Sequence, residues 1–136
     1  IGSVQLNKLP MFIKNRRKNA SIFKSLFENE PNITVQQETE TSSWFGFSLL
    51  LTNKLSTYRD DLVNILIENQ IECRPIVAGN FTKNPVIKFL DYHICGDLLV
   101  SDEIDKNGFF VGNDFRDLTN EINYLHKLIK DFEKNI

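Results

Sequence analysis

Three short apolar runs, residues 33–37, 44–51 and 109–111, limit what this chain can fold into. The first alternates apolar and polar residues. The second, WFGFSLLL, is aromatic and branched, and the third, FFV, is bounded by glycines. Runs of this length and composition read as strands, the second more buried than the first. The stretches between them carry helical spacing but do not alternate with the strands one for one. The order α-β-β-α-β-α-α-β-α follows. It predicts an α+β domain: a small antiparallel or mixed sheet packed against helices.

The first helix is expected over residues 10–28, where Phe12, Asn19, Phe23, Leu26 and Phe27 recur at helical spacing. Pro10 suits a first turn, where a missing N–H leaves no bond unmade. Leu6 and Leu9 fit an earlier helix that Pro10 kinks, and residues 29–32 end the segment. Thr57 is placed as the N-cap of the next helix, with Asp60 at the capping-box position and Leu62, Ile65 and Leu66 as its apolar stripe. Residues 71–77 read as a strand with Ile71, Cys73 and Val77 on one face and Glu72, Arg74 and Ile76 on the other. Pro75 makes it an edge or irregular strand, since it has no N–H to donate. Residues 86–90 read as a short helix, and residues 91–100 fit no pattern. Ser101 is expected to cap a helix running to Lys106. The last helix spans 119–132, with Ile122, Leu125, Ile129 and Phe132 as its stripe.

Sixteen basic and 18 acidic residues are interspersed, for a net charge of -2. That balance predicts no general attraction to nucleic acid or to a membrane surface. The basic knot at residues 14–18 reads as a solvated helix face. No apolar stretch approaches the roughly 18 residues of a membrane span, and the start lacks a signal-peptide pattern, so a cytoplasmic location is expected. The length, 136 residues, suits one domain, and the missing initiator methionine is what a fragment would show. Cys73 and Cys95 have no metal or redox spacing and are expected as free thiols. Eleven phenylalanines are expected to supply much of the core. His93 and His126 are isolated, and no phosphate-cradling loop, metal cluster or Ser/His/Asp set is readable.

Three stretches stand out as candidates for function. Residues 71–81, IECRPIVAGNF, place Glu72 and Arg74 side by side ahead of Gly79, Asn80 and Phe81. Arginine offers a planar fork that suits a carboxylate or a phosphate. Residues 41–47, TSSWFGF, offer Trp44 and Phe45 as a lip for a ring or sugar. Residues 108–113, GFFVGN, offer Asn113, with Asp114 after it, at a strand end. From spacing alone the plainer readings have the better claim: a surface ion pair, a core-feeding aromatic strand and a Gly-Asn turn.

The same stretches also carry a resemblance. IECRPIVAGNFTKN (71–84), SSWFGFSLLL (42–51), NGFFVGN (107–113) and the opening helix resemble the DegT/DnrJ/EryC1/StrS family of sugar aminotransferases and dehydratases. They are closest to its branch of 3-dehydratases. The resemblance covers essentially the whole chain. It implies the carboxy-terminal small domain of a fold-type-I enzyme, with residues 1–30 as the helix leaving a cofactor domain and residues 31–136 as the small domain. Such an enzyme uses pyridoxal or pyridoxamine phosphate and is a homodimer. It would 3-dehydrate a nucleotide-linked 4-keto-6-deoxy sugar, with glutamate as amino donor, for a surface polysaccharide such as lipopolysaccharide. The cofactor's lysine, or the histidine that replaces it in 3-dehydratases, lies upstream of this chain in the family. The chain alone is therefore expected to bind no cofactor, to hold no catalytic residue and to turn nothing over.

The resemblance also implies roles. Arg74 would engage the glutamate carboxylate or a sugar-nucleotide phosphate, and Glu72 would orient Arg74 or meet a sugar hydroxyl. Asn80 and Phe81 would line the sugar pocket, and Trp44 and Phe45 would flank its opening. Two other readings stay open: the small domain of a nucleotide-sugar aminotransferase, and a stand-alone binding module without catalysis.

Overall fold

In a computed structural model, residues 2–136 are described. Helices α1 (Gly2–Leu6) and α2 (Leu9–Phe27) lead into strands β1 (Ile33–Val35) and β2 (Gly46–Leu51). Helix α3 (Arg59–Glu68), strand β3 (Cys73–Arg74), helix α4 (Leu99–Asn107), strand β4 (Gly108–Gly112) and helix α5 (Thr119–Lys134) follow. Tight 3-10 turns occupy Asn53–Leu55, Phe81–Lys83 and Pro85–Phe89. The fold is α+β, as the sequence predicts. The sheet runs β1-β2-β4-β3 and every neighbouring pair is antiparallel.

Strand alternation sets the layers. Ile33 pairs with Leu51, Leu49 with Phe109, Phe47 with Val111 and Cys73 with Val111, so these residues share one face. That face packs on Ala20, Phe23 and Phe27 of α2, Leu62 and Leu66 of α3, and Ile122, Leu125 and Ile129 of α5. Phe23 stacks flat on Phe47, with ring centres 4.3 Å apart at 6°, and on Phe27 at 4.6 Å. Each such side chain, fully buried, stabilises the fold by about 1.5–3 kcal/mol. Four phenylalanines, at 23, 27, 47 and 109, are fully enclosed. Others, among them Phe45, Phe81, Phe89 and Phe115, lie exposed.

The local expectations fail where tertiary contacts outweigh them. Strand β2 starts at Gly46, because Trp44 takes a left-handed backbone with φ 53°. Helix α3 starts at Arg59. Its cap position is Tyr58, with no side-chain cap bond, and Asp60 pairs with Arg59 at 2.7 Å instead of reaching back. Leu55 is fully buried, and the 3-10 turn that buries it displaces Thr57 from the cap. Strand β3 stops at Arg74: Pro75 cannot donate, and the chain then turns where the Gly79 N–H donates to the Ile76 carbonyl at 2.9 Å. Helix α4 starts two residues ahead of Ser101, where the Asp97 carboxylate accepts from the Leu99 N–H at 3.2 Å. The short helix expected at 86–90 is a 3-10 turn opened by Pro85 and capped by Asn84.

A buried ionic group fastens α5 to the chain leaving α2. Glu30, with only 14% of its side chain exposed, lies 2.7 Å from His126 Nε2 and 2.8 Å from Lys130 Nζ. Lys130 also reaches Glu133 at 2.7 Å, and Glu133 accepts from Asn32. Burial by itself pushes the Glu30 carboxyl up; the hydrogen bonds and charges of Lys130 and His126 outweigh it and hold the group below its ordinary 4.5. A carboxyl lowered in the folded state stabilises the fold above the unfolded value. That contribution disappears as pH falls through the lowered one. Glu30→Gln is therefore expected to destabilise the chain by about 1–3 kcal/mol near neutrality. Urea midpoints at neutral pH and well below the ordinary 4.5 check this: the loss shrinks clearly on acidification, and an equal loss at both would contradict the assignment.

Candidate functional site

The sheet's outer face carries what the core does not take. Ser48 pairs with Phe110 and Phe110 with Arg74, forming one outward row. In the next row Gly46 faces Gly112. The Phe110 ring leans over Gly46: a Cβ there would lie 2.2 Å from Phe110 Cζ and 2.6 Å from the Val111 carbonyl. A Cβ on Gly112 would meet nothing within 4 Å. Phe45 stacks on Phe110 with ring centres 5.7 Å apart at 20°, and it is 79% exposed. The Arg16 guanidinium sits 5.8 Å from the Phe45 ring centre.

The Glu72–Arg74 pair forms the other wall. Arg74 Nε and Nη2 both donate to Glu72 Oε1, at 2.8 and 2.5 Å. Both side chains are mostly exposed, so the pair contributes at most about 1 kcal/mol to stability. Arginine has five N–H donors, and the bonds to Glu72 leave the rest of the fork free. Phe45, Phe110, Glu72, Arg74, Gly112 and Asn113 enclose a groove of about 200 Å³. That is below the roughly 300–1,000 Å³ of a complete small-molecule pocket.

A buried amide network stands behind this groove. Asn19, fully buried, donates to the Asn113 side-chain oxygen at 3.1 Å and to the carbonyls of Asp114 and Arg116 at 3.1 and 2.8 Å. Its own oxygen accepts from the Leu118 N–H. Asn113 Nδ2 donates to the carbonyls of Trp44 and Arg16 at 2.9 and 3.1 Å, and its backbone N–H donates to Phe45 at 3.3 Å. Arg16 Nε donates to the Trp44 carbonyl at 3.1 Å. A bulky residue held left-handed carries strain of about 1–3 kcal/mol and persists only where its surroundings fix it.

Of the six residues expected at a site, the structure gathers Glu72, Arg74 and Phe45. Trp44 is not a lip: it is 2% exposed, with its ring against Phe47 in the core, so no ligand can stack on it. Asn80 is not a free pocket group either. It is 6% exposed, its side chain donates to Asp102 at 2.8 Å and accepts from Thr82, and its N–H donates to Asp105 at 3.0 Å. It staples the turn after β3 onto α4. Those bonds, with Lys83, hold the Asp102 and Asp105 carboxyls below their ordinary value. Phe81 follows on that turn, 46% exposed and outside the groove.

Phe110 joins the groove, and Arg16 stands beside its Phe45 wall, without either having been singled out. Strand alternation could have found Phe110, since Phe109 inward places its neighbour outward beside Arg74. No local pattern links Arg16 to a turn 28 residues later. Cys73 is half-buried, and burial pushes its thiol up to about 11, with Arg59 pulling down and Glu72 pushing up, which favours the protonated form near neutrality. Among the described residues no cluster of three metal-ligating side chains occurs, and no helix is long and apolar enough to cross a membrane.

Comparison with known proteins adds to this geometry. Residues 1–115 match the DegT/DnrJ/EryC1/StrS aminotransferase family. The chain is 54% identical over 131 residues to a GDP-4-keto-6-deoxy-D-mannose 3-dehydratase of Yersinia pseudotuberculosis, covering 96% of this chain and 33% of that one. A crystal structure of GDP-4-keto-6-deoxymannose-3-dehydratase with a trapped PLP-glutamate geminal diamine is similar at a TM-score of 0.88 and 48% identity. A mutant of that enzyme with bound GDP-perosamine is similar at 0.88 and 47%. Each of these matches covers 93% of this chain and 33% of the other. The chain thus spans about a third of the length of the relatives it matches.

The contact of Phe110 with Gly46 can be tested apart from any ligand. Gly46→Ala should destabilise the chain by about 1–3 kcal/mol, because backbone as well as ring must move. It should also shift the ring-proton resonances of Phe45 and Phe110. Gly112→Ala, with open space around its Cβ, should leave those resonances in place. Unshifted rings in Gly46→Ala would contradict the packing described.

Proposed function

The chain belongs to the DegT/DnrJ/EryC1/StrS aminotransferase family, and we propose that it is the carboxy-terminal small domain of a sugar 3-dehydratase. On this reading the whole enzyme acts on GDP-4-keto-6-deoxymannose or a close nucleotide-linked relative, with glutamate as amino donor. The observation that carries the reading is the placement of Glu72 and Arg74 against the Phe45–Phe110 stack on an open sheet face. Identity above one half to a 3-dehydratase supports it.

Each groove residue has a role that follows from its chemistry. Arg74 presents its remaining N–H donors to the glutamate carboxylate, or failing that to a sugar-nucleotide phosphate. Glu72 holds the guanidinium plane in one orientation through Oε1 and keeps its second oxygen for a sugar hydroxyl. Phe45 and Phe110 offer a flat apolar wall to the sugar or base. Phe81 remains a candidate sugar contact on its separate turn. The groove is too small and too open for a whole nucleotide sugar, which fits one wall of a site completed by the rest of the enzyme.

The groove residues do not fit a pyridoxal or pyridoxamine phosphate. None of the residues lining the groove is a lysine or histidine, so the groove offers no amine for a Schiff base and no imidazole in its place. On this reading the cofactor supplies the electron sink from the remainder of the enzyme, and the first thirty residues are the helix leaving that part. Exposed Val4, Leu6 and Met11 on the first two helices, and Phe89, Tyr92 and Val100 before and within α4, support a chain meant to be covered. A homodimer, a cytoplasmic location and a role in surface-polysaccharide synthesis belong to the same proposal, as does inactivity of this chain alone.

Arg74→Ala in the enzyme that carries this domain is the test. The KM for glutamate should rise about 10- to 100-fold, the loss of one charge-assisted contact, with kcat at saturation little changed. A rise confined to the nucleotide sugar would reassign Arg74 to a phosphate. If neither constant moves, the groove is not part of the substrate site.

A further inference from the structure

We infer that Asn113, held by the buried Asn19, is a positioning residue for the aromatic wall of the groove: it fixes Trp44 in its left-handed turn and thereby sets Phe45 on Phe110. The inference rests on the reading of the groove as a substrate surface.

Trp44 and Phe45 are adjacent in sequence yet go to opposite sides of the sheet, one 2% exposed and the other 79%. A left-handed residue at 44 makes that division possible. In an extended strand neighbours also alternate, but β2 begins only at Gly46, so the turn at 44 sets where Phe45 stands. Asn113 grips the peptide units on both sides of Phe45. Its side-chain amide holds the Trp44 carbonyl and its backbone N–H holds the Phe45 carbonyl.

The orientation of that amide is itself fixed. Asn113 Oδ1 accepts from Asn19, so Nδ2 must face the carbonyls of Trp44 and Arg16. Asn19 has no freedom to turn, because its oxygen and nitrogen are committed to the backbone of residues 114–118 and to Asn113. Arg16 adds a second donor to the Trp44 carbonyl while its guanidinium lies near the Phe45 ring. A chain of side-chain amides thus runs from the core to the groove and ends on the residue that faces the ligand. Asn113 also lines the groove, but its polar atoms are turned inward to protein partners.

Trp44 is the one tryptophan of the chain, so its emission reports this turn directly. Asn113→Asp keeps the volume and an acceptor but removes both Nδ2 donors; Asn113→Ala removes the whole amide. Both variants should red-shift Trp44 emission and move the Phe45 and Phe110 ring resonances, with far-UV circular dichroism retained. In the cofactor-bearing enzyme both should raise the KM for the nucleotide sugar about tenfold or more while kcat stays within about twofold. Native emission and ring resonances in Asn113→Asp, with changes only in Asn113→Ala, would mean that Asn113 fills space, and the inference falls. If neither variant folds, Arg16→Met decides: it should shift the same signals more weakly, and native signals there overturn the inference. Phe45→Ala separates the two levels. An unchanged KM in that variant removes the groove from substrate binding, while the emission and ring shifts still judge the role of Asn113.

Discussion

The register of β2 on β4 is the constraint on which the rest of the molecule depends. With Phe47 opposite Val111 and Leu49 opposite Phe109, these four side chains of the two central strands, with Leu51, meet the helical layer. A slip of one residue would send Phe110 and Ser48 inward and expose Phe47, Leu49 and Phe109. The same register puts Phe110 beside Arg74 and opens the Gly46–Gly112 row that the Phe110 ring covers. Core and candidate site are therefore two faces of one pairing.

At its edges this sheet is held by polar groups whose burial makes them directional. Glu30 joins the exit of α2 to α5, and Asn19 joins α2 to the loop that enters α5. An unpaired amide or carboxylate at either place would cost about 1–3 kcal/mol or more, so each partner has to be in position in the folded chain. Asp117 marks the outer side of the same entry. Hydrogen bonds from Lys18 and from the Thr119 hydroxyl and N–H lower its carboxyl to about 2. Helix α2 is thereby coupled to α5 at two separated points, which fixes where Arg16 and its neighbours stand relative to the sheet.

The sequence makes plain whatever depends on near neighbours. The stripe of Ile122, Leu125 and Ile129 and the aromatic and branched run through residues 47–51 are local, and both are realised. The Glu72–Arg74 pair is likewise an i, i+2 relation along an extended chain, and it forms. What stays hidden depends on distant partners. Trp44 reads as strand, yet the donors that turn it left-handed come from Arg16 and Asn113, the second 69 residues away. Asn80 reads as a binding group because a glycine precedes it, but Asp102 and Asp105, 22 and 25 residues on, consume its donors. Phe110 falls between these cases: its direction is local, but the empty row of glycines beneath it needs the pairing to be known.

Two of the ionic groups differ in a way that bears on the proposed function. Glu30 is nearly enclosed and shared between Lys130 and the His126 ring, so removing either partner leaves the carboxylate short of a donor in a poorly solvated place. Arg74 and Glu72 are about three-quarters exposed and bonded only to one another. Water already solvates them, so parting them is cheap, and an incoming carboxylate or phosphate competes with Glu72 for the guanidinium on nearly equal terms. On the proposed reading Glu72 is a placeholder: it keeps the planar Arg74 fork in one orientation, and it adds a negative charge that discourages an anion lacking further contacts. On that reading selectivity comes from what the anion is attached to, the part that the Phe45–Phe110 wall would meet.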